Sequence, residues 1–221
     1  MLNQLLNKLT ANVLHRRMRA YLDYPEARTA LILIDVQPAF LADQSLLLPK
    51  LAKVIAFARS RNMAIIYSPF GGARPAHSLA PGIAELFTRL ESSTETPLPE
   101  ELAPHDGDIV LPARSTLSAC IGKSFIASLR DAGIEHVILA GSFADLSIDS
   151  TARDATERDF HTTILSDCCG ATSQDAHDAT IGVTLPRMVH AVTSSKDWFQ
   201  HAAKQTGGKQ TSPIKQENEQ K

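Results

Sequence analysis

A carboxylate that ends an apolar run is expensive to leave unpaired, and the stretch Thr29-Ala-Leu-Ile-Leu-Ile-Asp35 ends in one. At the edge of a sheet such a group can act as a proton shuttle. The plainer reading is an aspartate that satisfies the following loop, Val36-Gln37-Pro38. A second candidate is Ser147, in Gly141-Ser-Phe-Ala-Asp-Leu-Ser147. Gly141 permits a sharp turn, and Ser147 then falls at the start of a helix, where backbone N–H groups favour an anion or a developing oxyanion. Read locally, Ser147 or Asp145 is more simply a helix N-cap. A third is Arg114, in Pro112-Ala-Arg-Ser-Thr-Leu-Ser118. A fixed cation near Asp35 would hold a carboxylate substrate or tune its neighbour; the ordinary fate of a lone arginine is solvation at a strand end.

These residues need elements to position them. Short apolar runs bounded by turn residues read as buried strands over 29–35, 63–68, 108–111, 136–140, 162–165 and 189–192. Helices are expected between them, over 46–61, 83–90, 118–132, 146–158, 173–185 and 194–203. Gly133 stops one of them and Ser173 caps another. Pro69 to Pro81 and Glu91 to Asp106 are polar, turn-rich loops. The alternation predicts an α/β domain: a doubly wound, six-stranded parallel sheet with helices on both faces. Such sheets bind ligands beyond the carboxyl ends of their strands.

The chain divides into an N-terminal amphipathic helix and connector over 1–28, the α/β domain over 29–203, and a polar tail over 204–221 that lacks the apolar residues to fold. The first helix has a basic end and is expected to lie over the domain or across a partner subunit. A net charge of −2 gives no reason to expect nucleic acid as a partner. The chain has no apolar stretch of membrane-spanning length and no signal-peptide pattern. Three cysteines, two of them adjacent (Cys168, Cys169), argue against a disulfide framework. A cytoplasmic location is the expectation.

Taken together, the motifs resemble those of isochorismatase-like hydrolases. Ile34-Asp-Val-Gln-x-x-Phe40 is similar to the family's opening motif, and Ser118-Ala-Cys120 to the start of a later helix. Ala140 to Ala155, ending in Ser-Thr-Ala-Arg-Asp-Ala, resembles the third motif; Leu165 to Ala171 resembles a strand end that reads Val-x-Asp-Ala. The likeness runs from about Thr29 to Trp198. It implies a pocket at the carboxyl edge built on Asp35, the Arg114 region and Ser147, with Gln37, Phe40, Phe70, Phe143 and Ala144 as substrate-binding positions. It also implies a cis peptide at Phe143–Ala144 as part of an oxyanion hole, and assembly into dimers or tetramers.

Two departures matter. Where the family's cysteine hydrolases carry a nucleophilic cysteine this chain has Ser147, and a serine needs an adjacent base. The family's lysine is also absent: counting back from Ser118 puts Arg114 in its place, and counting forward from Asp108 puts Ala113 there. Isochorismatases of the same family cleave a vinyl ether without a covalent nucleophile and also lack the cysteine. The best single expectation is therefore hydrolysis of an isochorismate-like carboxylate, as in secondary metabolism, with Asp35 as general acid. A Ser147-dependent amidase or esterase is the second reading, and a catalytically lapsed binding module the third. No cofactor is expected. Zinc is not expected either, since the relevant loop holds only His77 and the other histidines show no ligand spacing. The three cysteines are expected to be packed thiols.

Overall fold

The computed structural model describes residues 24–42, 44–71, 79–91, 98–121 and 123–207. The expected N-terminal helix and nearly all of the polar tail lie outside these residues. The strands are β1 (Thr29–Ile34), β2 (Ala64–Ser68), β3 (Ile109–Val110), β4 (His136–Gly141), β5 (His161–Cys169) and β6 (Ala191–Thr193). Helices α1 (Pro38–Leu41), α2 (Leu47–Ser60), α3 (Pro81–Glu91), α4 (Lys123–Asp131), α5 (Asp149–Thr156), α6 (Gln174–Ala179) and α7 (Ser195–Gly207) connect and follow them. All six strands are parallel, in the order β3-β2-β1-β4-β5-β6. The order reverses between β1 and β4, which places Asp35 and the Gly141–Ser147 segment on either side of the crevice where such sheets bind ligands.

Alternation along the central strands supplies both cores. Ile32, Ile34, Val137, Leu139 and Ile164 face one side with Phe125, Leu129 and Ala152 of α4 and α5. Leu31, Leu33, Ile138 and Leu165 face the other with Leu51, Val54 and Ile55 of α2 and Trp198 of α7. Burial on both faces is why these strands read as unbroken apolar runs.

Five elements differ from expectation. The strand expected over 108–111 shortens to two residues, because β3 is an exposed edge that pairs only Ile109 with Ile66 and Val110 with Tyr67. The helix expected from Ser118 begins at Lys123. Here the Ser118 hydroxyl accepts from Cys120 N (3.0 Å), and Thr151 Oγ1 accepts from Ala119 N (3.0 Å), so side chains replace the first helical turn. The segment after β4 opens with a π-turn, Ala144–Ile148, before α5. β5 runs four residues further than expected, to Cys169, and its register against β4 shifts between Leu139 and Gly141. Ser173 caps α6 as expected, accepting from Ala176 N (3.1 Å), but the helix then loosens into a π-turn over Thr180–Thr184.

Candidate active site

Asp35 directly follows β1, is fully buried, and has a left-handed backbone (φ 56°). That conformation is uncommon for a residue other than glycine, and aspartate is among the few that tolerate it. It turns the chain out of the sheet. One carboxylate oxygen, Oδ1, accepts from Arg114 Nη1 at 2.6 Å; the other, Oδ2, is buried with no hydrogen-bond partner among the described residues.

Of the two residues considered for the lysine's place, Ala113 is exposed and Arg114 reaches Asp35. Its backbone continues the edge of the sheet, donating to Pro69 O (3.0 Å) and accepting from Gly71 N (2.8 Å). Its guanidinium is further fixed by Ser68 O (3.1 Å) and Leu117 O (3.2 Å), and it lies 5.7 Å from the centre of the Phe70 ring. The planar fork is thus committed on several sides, the arrangement for which arginine is better suited than lysine.

Gly141 closes β4 against β1 with φ 146°, and an added Cβ would stand 1.9 Å from Ile34 O. Only glycine allows that approach. Ser142 then donates from N to Ile34 O (3.1 Å) and from Oγ to Asp35 O (2.5 Å), tying the two sides of the crevice together. Ser147 lies in the π-turn, fully buried; its carbonyl accepts from Thr151 Oγ1 (2.7 Å), while its own Oγ has no partner among the described residues. Neither Ser147 nor Asp145 is an N-cap: α5 starts only at Asp149, and the Asp145 carboxylate accepts from Thr172 N (3.1 Å) and from the Thr172 hydroxyl.

The described peptide bonds are all trans, so the cis bond expected at Phe143–Ala144 is not formed. The turn instead stands on ordinary hydrogen bonds: Ala144 N donates to Gly170 O (2.6 Å) and Ile148 N to Phe143 O (2.9 Å). Ala144 itself packs into the core beneath α4 and α5.

The remaining expected positions converge. Gln37 clamps Phe70, its Nε2 donating to Phe70 O (2.6 Å) and its Oε1 accepting from Phe70 N (3.4 Å). Phe40 is in edge contact with both Phe70 (6.4 Å) and Phe143 (5.1 Å), and all three rings are buried with Leu86 of α3. Such contacts suit aromatic quadrupoles. A cavity of about 770 Å³ opens on the β5 side, not directly on Asp35; Gln44, Lys50, Arg89, Asp167, Gly170 and Thr172 contribute to its lining. Sequence reasoning passed over Gln44, Arg89 and Ser142. Nothing local marks them, since each acquires its place through contacts distant in the chain.

Burial pushes the Cys120 and Cys168 thiols up to about 12 and the Cys169 thiol well above its ordinary value, so none is a ready thiolate at neutral pH. Among the described residues no three His, Cys, Asp or Glu side chains are placed so that they could hold a metal ion; His77 lies outside them.

Comparison with known proteins bears on this geometry. Residues 29–197 match the isochorismatase domain family. YwoC of Bacillus subtilis, an uncharacterized isochorismatase family protein, is 27% identical over 176 residues, which cover 76% of this chain and 92% of that protein. The ureidoacrylate amidohydrolase RutB of Pantoea ananatis is 28% identical over 171 residues, 63% of this chain and 68% of that protein. A solved cysteine hydrolase from Pseudomonas syringae shares the fold with a TM-score of 0.67 at 17% identity, over 81% of this chain and 96% of that one.

Proposed function

This chain belongs to the isochorismatase family, and we propose that it hydrolyses a small carboxylated metabolite, of which an isochorismate-like vinyl ether is the substrate class. In this reading Asp35 Oδ2 takes up a proton as the substrate binds and delivers it to the terminal vinyl carbon. Water adds to the resulting oxocarbenium carbon, the proton it loses returns to Asp35, and the hemiketal collapses to pyruvate and the ring alcohol. Arg114 holds Asp35 through Oδ1 and leaves the other oxygen for the reacting atom. The observation that carries the reading is the division of the Asp35 carboxylate, one oxygen committed at 2.6 Å and the other buried and unpartnered. An unpaired buried oxygen is costly to keep and is expected to be matched by a ligand.

The experiment is incubation with isochorismate, with pyruvate release followed by a coupled assay. Release that disappears in Asp35→Asn supports the proposal; release that persists in that variant contradicts it. Absence of release from the wild type removes this substrate.

A second reading is an amide hydrolase with Ser147 as nucleophile, which the amidohydrolase among the relatives favours. It requires a base beside Ser147. Ser147 Oγ has no such partner among the described residues. Under turnover with a reactive acyl substrate this reading predicts an acyl adduct at Ser147 by intact-protein mass spectrometry; turnover without an adduct contradicts it.

A further inference from the structure

Asp35 follows the last residue of β1 with a left-handed backbone (φ 56°) and is fully buried. Its N–H donates to Ser68 O (3.3 Å), while its carbonyl has one donor among the described residues, the hydroxyl of Ser142 (2.5 Å). Ser142 is fully buried too, and its N–H donates to the preceding carbonyl, Ile34 O (3.1 Å). Its own carbonyl accepts from Gln44 Nε2 (3.3 Å). One serine thus holds two successive carbonyls at the end of β1 and is itself held from the connection between α1 and α2.

The other half of the ion pair is not free to follow a displaced aspartate. The Arg114 guanidinium is fixed by Ser68 O (3.1 Å) and Leu117 O (3.2 Å), and its backbone by Pro69 and Gly71. The 2.6 Å contact with Asp35 Oδ1 therefore depends on where the Asp35 backbone sends its side chain. Without the hydroxyl the buried carbonyl would lack a partner, and the left-handed turn would lose a bond that offsets its steric cost. Relaxation of φ towards the extended region would swing Cβ, and the carboxylate with it, away from Arg114. We propose that Ser142 is a positioning residue for Asp35: its hydroxyl holds the turn that sets one carboxylate oxygen against Arg114 and leaves the other for a ligand. The proposal rests on the reading above only in taking Asp35 as the acid of the site.

The test reads the ion pair without turnover. Nitrogen-15 NMR of the full chain follows the guanidinium N–H signals, and those of Arg114 are identified by their loss in R114K. D35N gives their position once the Asp35 charge is removed. S142A deletes one oxygen and is expected to move the Arg114 signals most of the way to that position. Arg59, paired with Asp108, is the internal standard and is expected not to move. S142C keeps the side-chain shape with a weaker donor and serves where S142A folds poorly, with a smaller shift in the same direction. Arg114 signals that stay in place overturn the proposal even if S142A lowers the denaturant midpoint, since a serine that only supports the fold would act in that way. A parallel shift at Arg59 overturns it as well. Where pyruvate is released, S142A is expected to lower kcat by about 10²-fold with KM little changed, as misplacement of a reacting group does; an unchanged kcat contradicts the proposal. Moved Arg114 signals in a protein that releases no pyruvate would leave Ser142 in its role and remove the vinyl ether reading; unmoved signals with release intact would do the reverse.

Discussion

Asp35 and Arg114 form an almost wholly buried ion pair, with side-chain exposures of 0% and 10%. Removing one partner of such a pair leaves the other charge uncompensated, a loss of about 3–5 kcal/mol. Arg114→Ala is therefore expected to lower the denaturant midpoint strongly, by chemical unfolding, whereas Arg114→Lys keeps the charge and loses the fork that also holds Ser68 O and Leu117 O. An alanine variant as stable as the wild type would show that the pair does not hold the crevice. That a buried Asp35 would need a charged partner was legible from a carboxylate ending an apolar run. The choice between Ala113 and Arg114 was not, because one residue of register in a loop leaves no mark on local pattern. The reading of Ser147 as a helix cap failed for a related reason: helix onset here depends on tertiary contacts.

At the level of elements, the central strands were readable because each is buried on both faces, which leaves a continuous apolar run at strand length. β3 was overextended by one residue at each end: the register with β2 covers only Ile109 and Val110, although Leu111 N still donates to Tyr67 O (2.9 Å). The π-turn over Ala144–Ile148 has no sequence signature; it exists because Ala144 and Ile148 are bonded to Gly170 and Phe143. Its geometry begins at Gly141. Gly141→Ala would force a left-handed φ on an L-residue, costing about 1–3 kcal/mol, before the collision of its Cβ with Ile34 O is counted. The variant is expected to unfold at markedly lower temperature, and an unchanged Tm would mean that β1 and β4 do not approach as described. The failure of the cis-peptide expectation belongs to this scale too, since the turn is satisfied by trans bonds.

The whole molecule carries a feature that no motif announced: at the amino-terminal edge of the sheet His136 and His161, the first residues of β4 and β5, come together with His190, the residue before β6. His136 is buried, with Nε2 on Thr163 Oγ1 (2.8 Å) and Nδ1 on Thr29 Oγ1 (3.3 Å). His161 and His190 stack at 4.4 Å, and Tyr24 lies over His136 and His161. Burial, with the neighbouring histidines adding to it, lowers His136 from 6.5 to about 3. Burial also lowers His161, against the opposing pull of Glu135, and lowers His190. A group depressed in the folded state takes up its proton more readily when unfolded. Stability is thus full above about pH 6.5 and falls towards pH 3, at about 1.4 kcal/mol per pH unit for His136 alone. Chemical unfolding between pH 7 and pH 5 is expected to show that slope and His136→Asn to flatten it; equal slopes would contradict the assignment. Among the described residues no helix is long and apolar enough to cross a membrane.

Whether Asp35 does the chemistry without a covalent bond to Ser147 is decided by comparing kcat for pyruvate release from isochorismate in Asp35→Asn and Ser147→Ala. Loss of a general acid is expected to cost about 10²–10⁴ in rate. A loss of that size is expected for Asp35→Asn, with Ser147→Ala retaining most of the activity. A Ser147→Ala variant as inactive as Asp35→Asn would contradict it and return the site to nucleophilic catalysis.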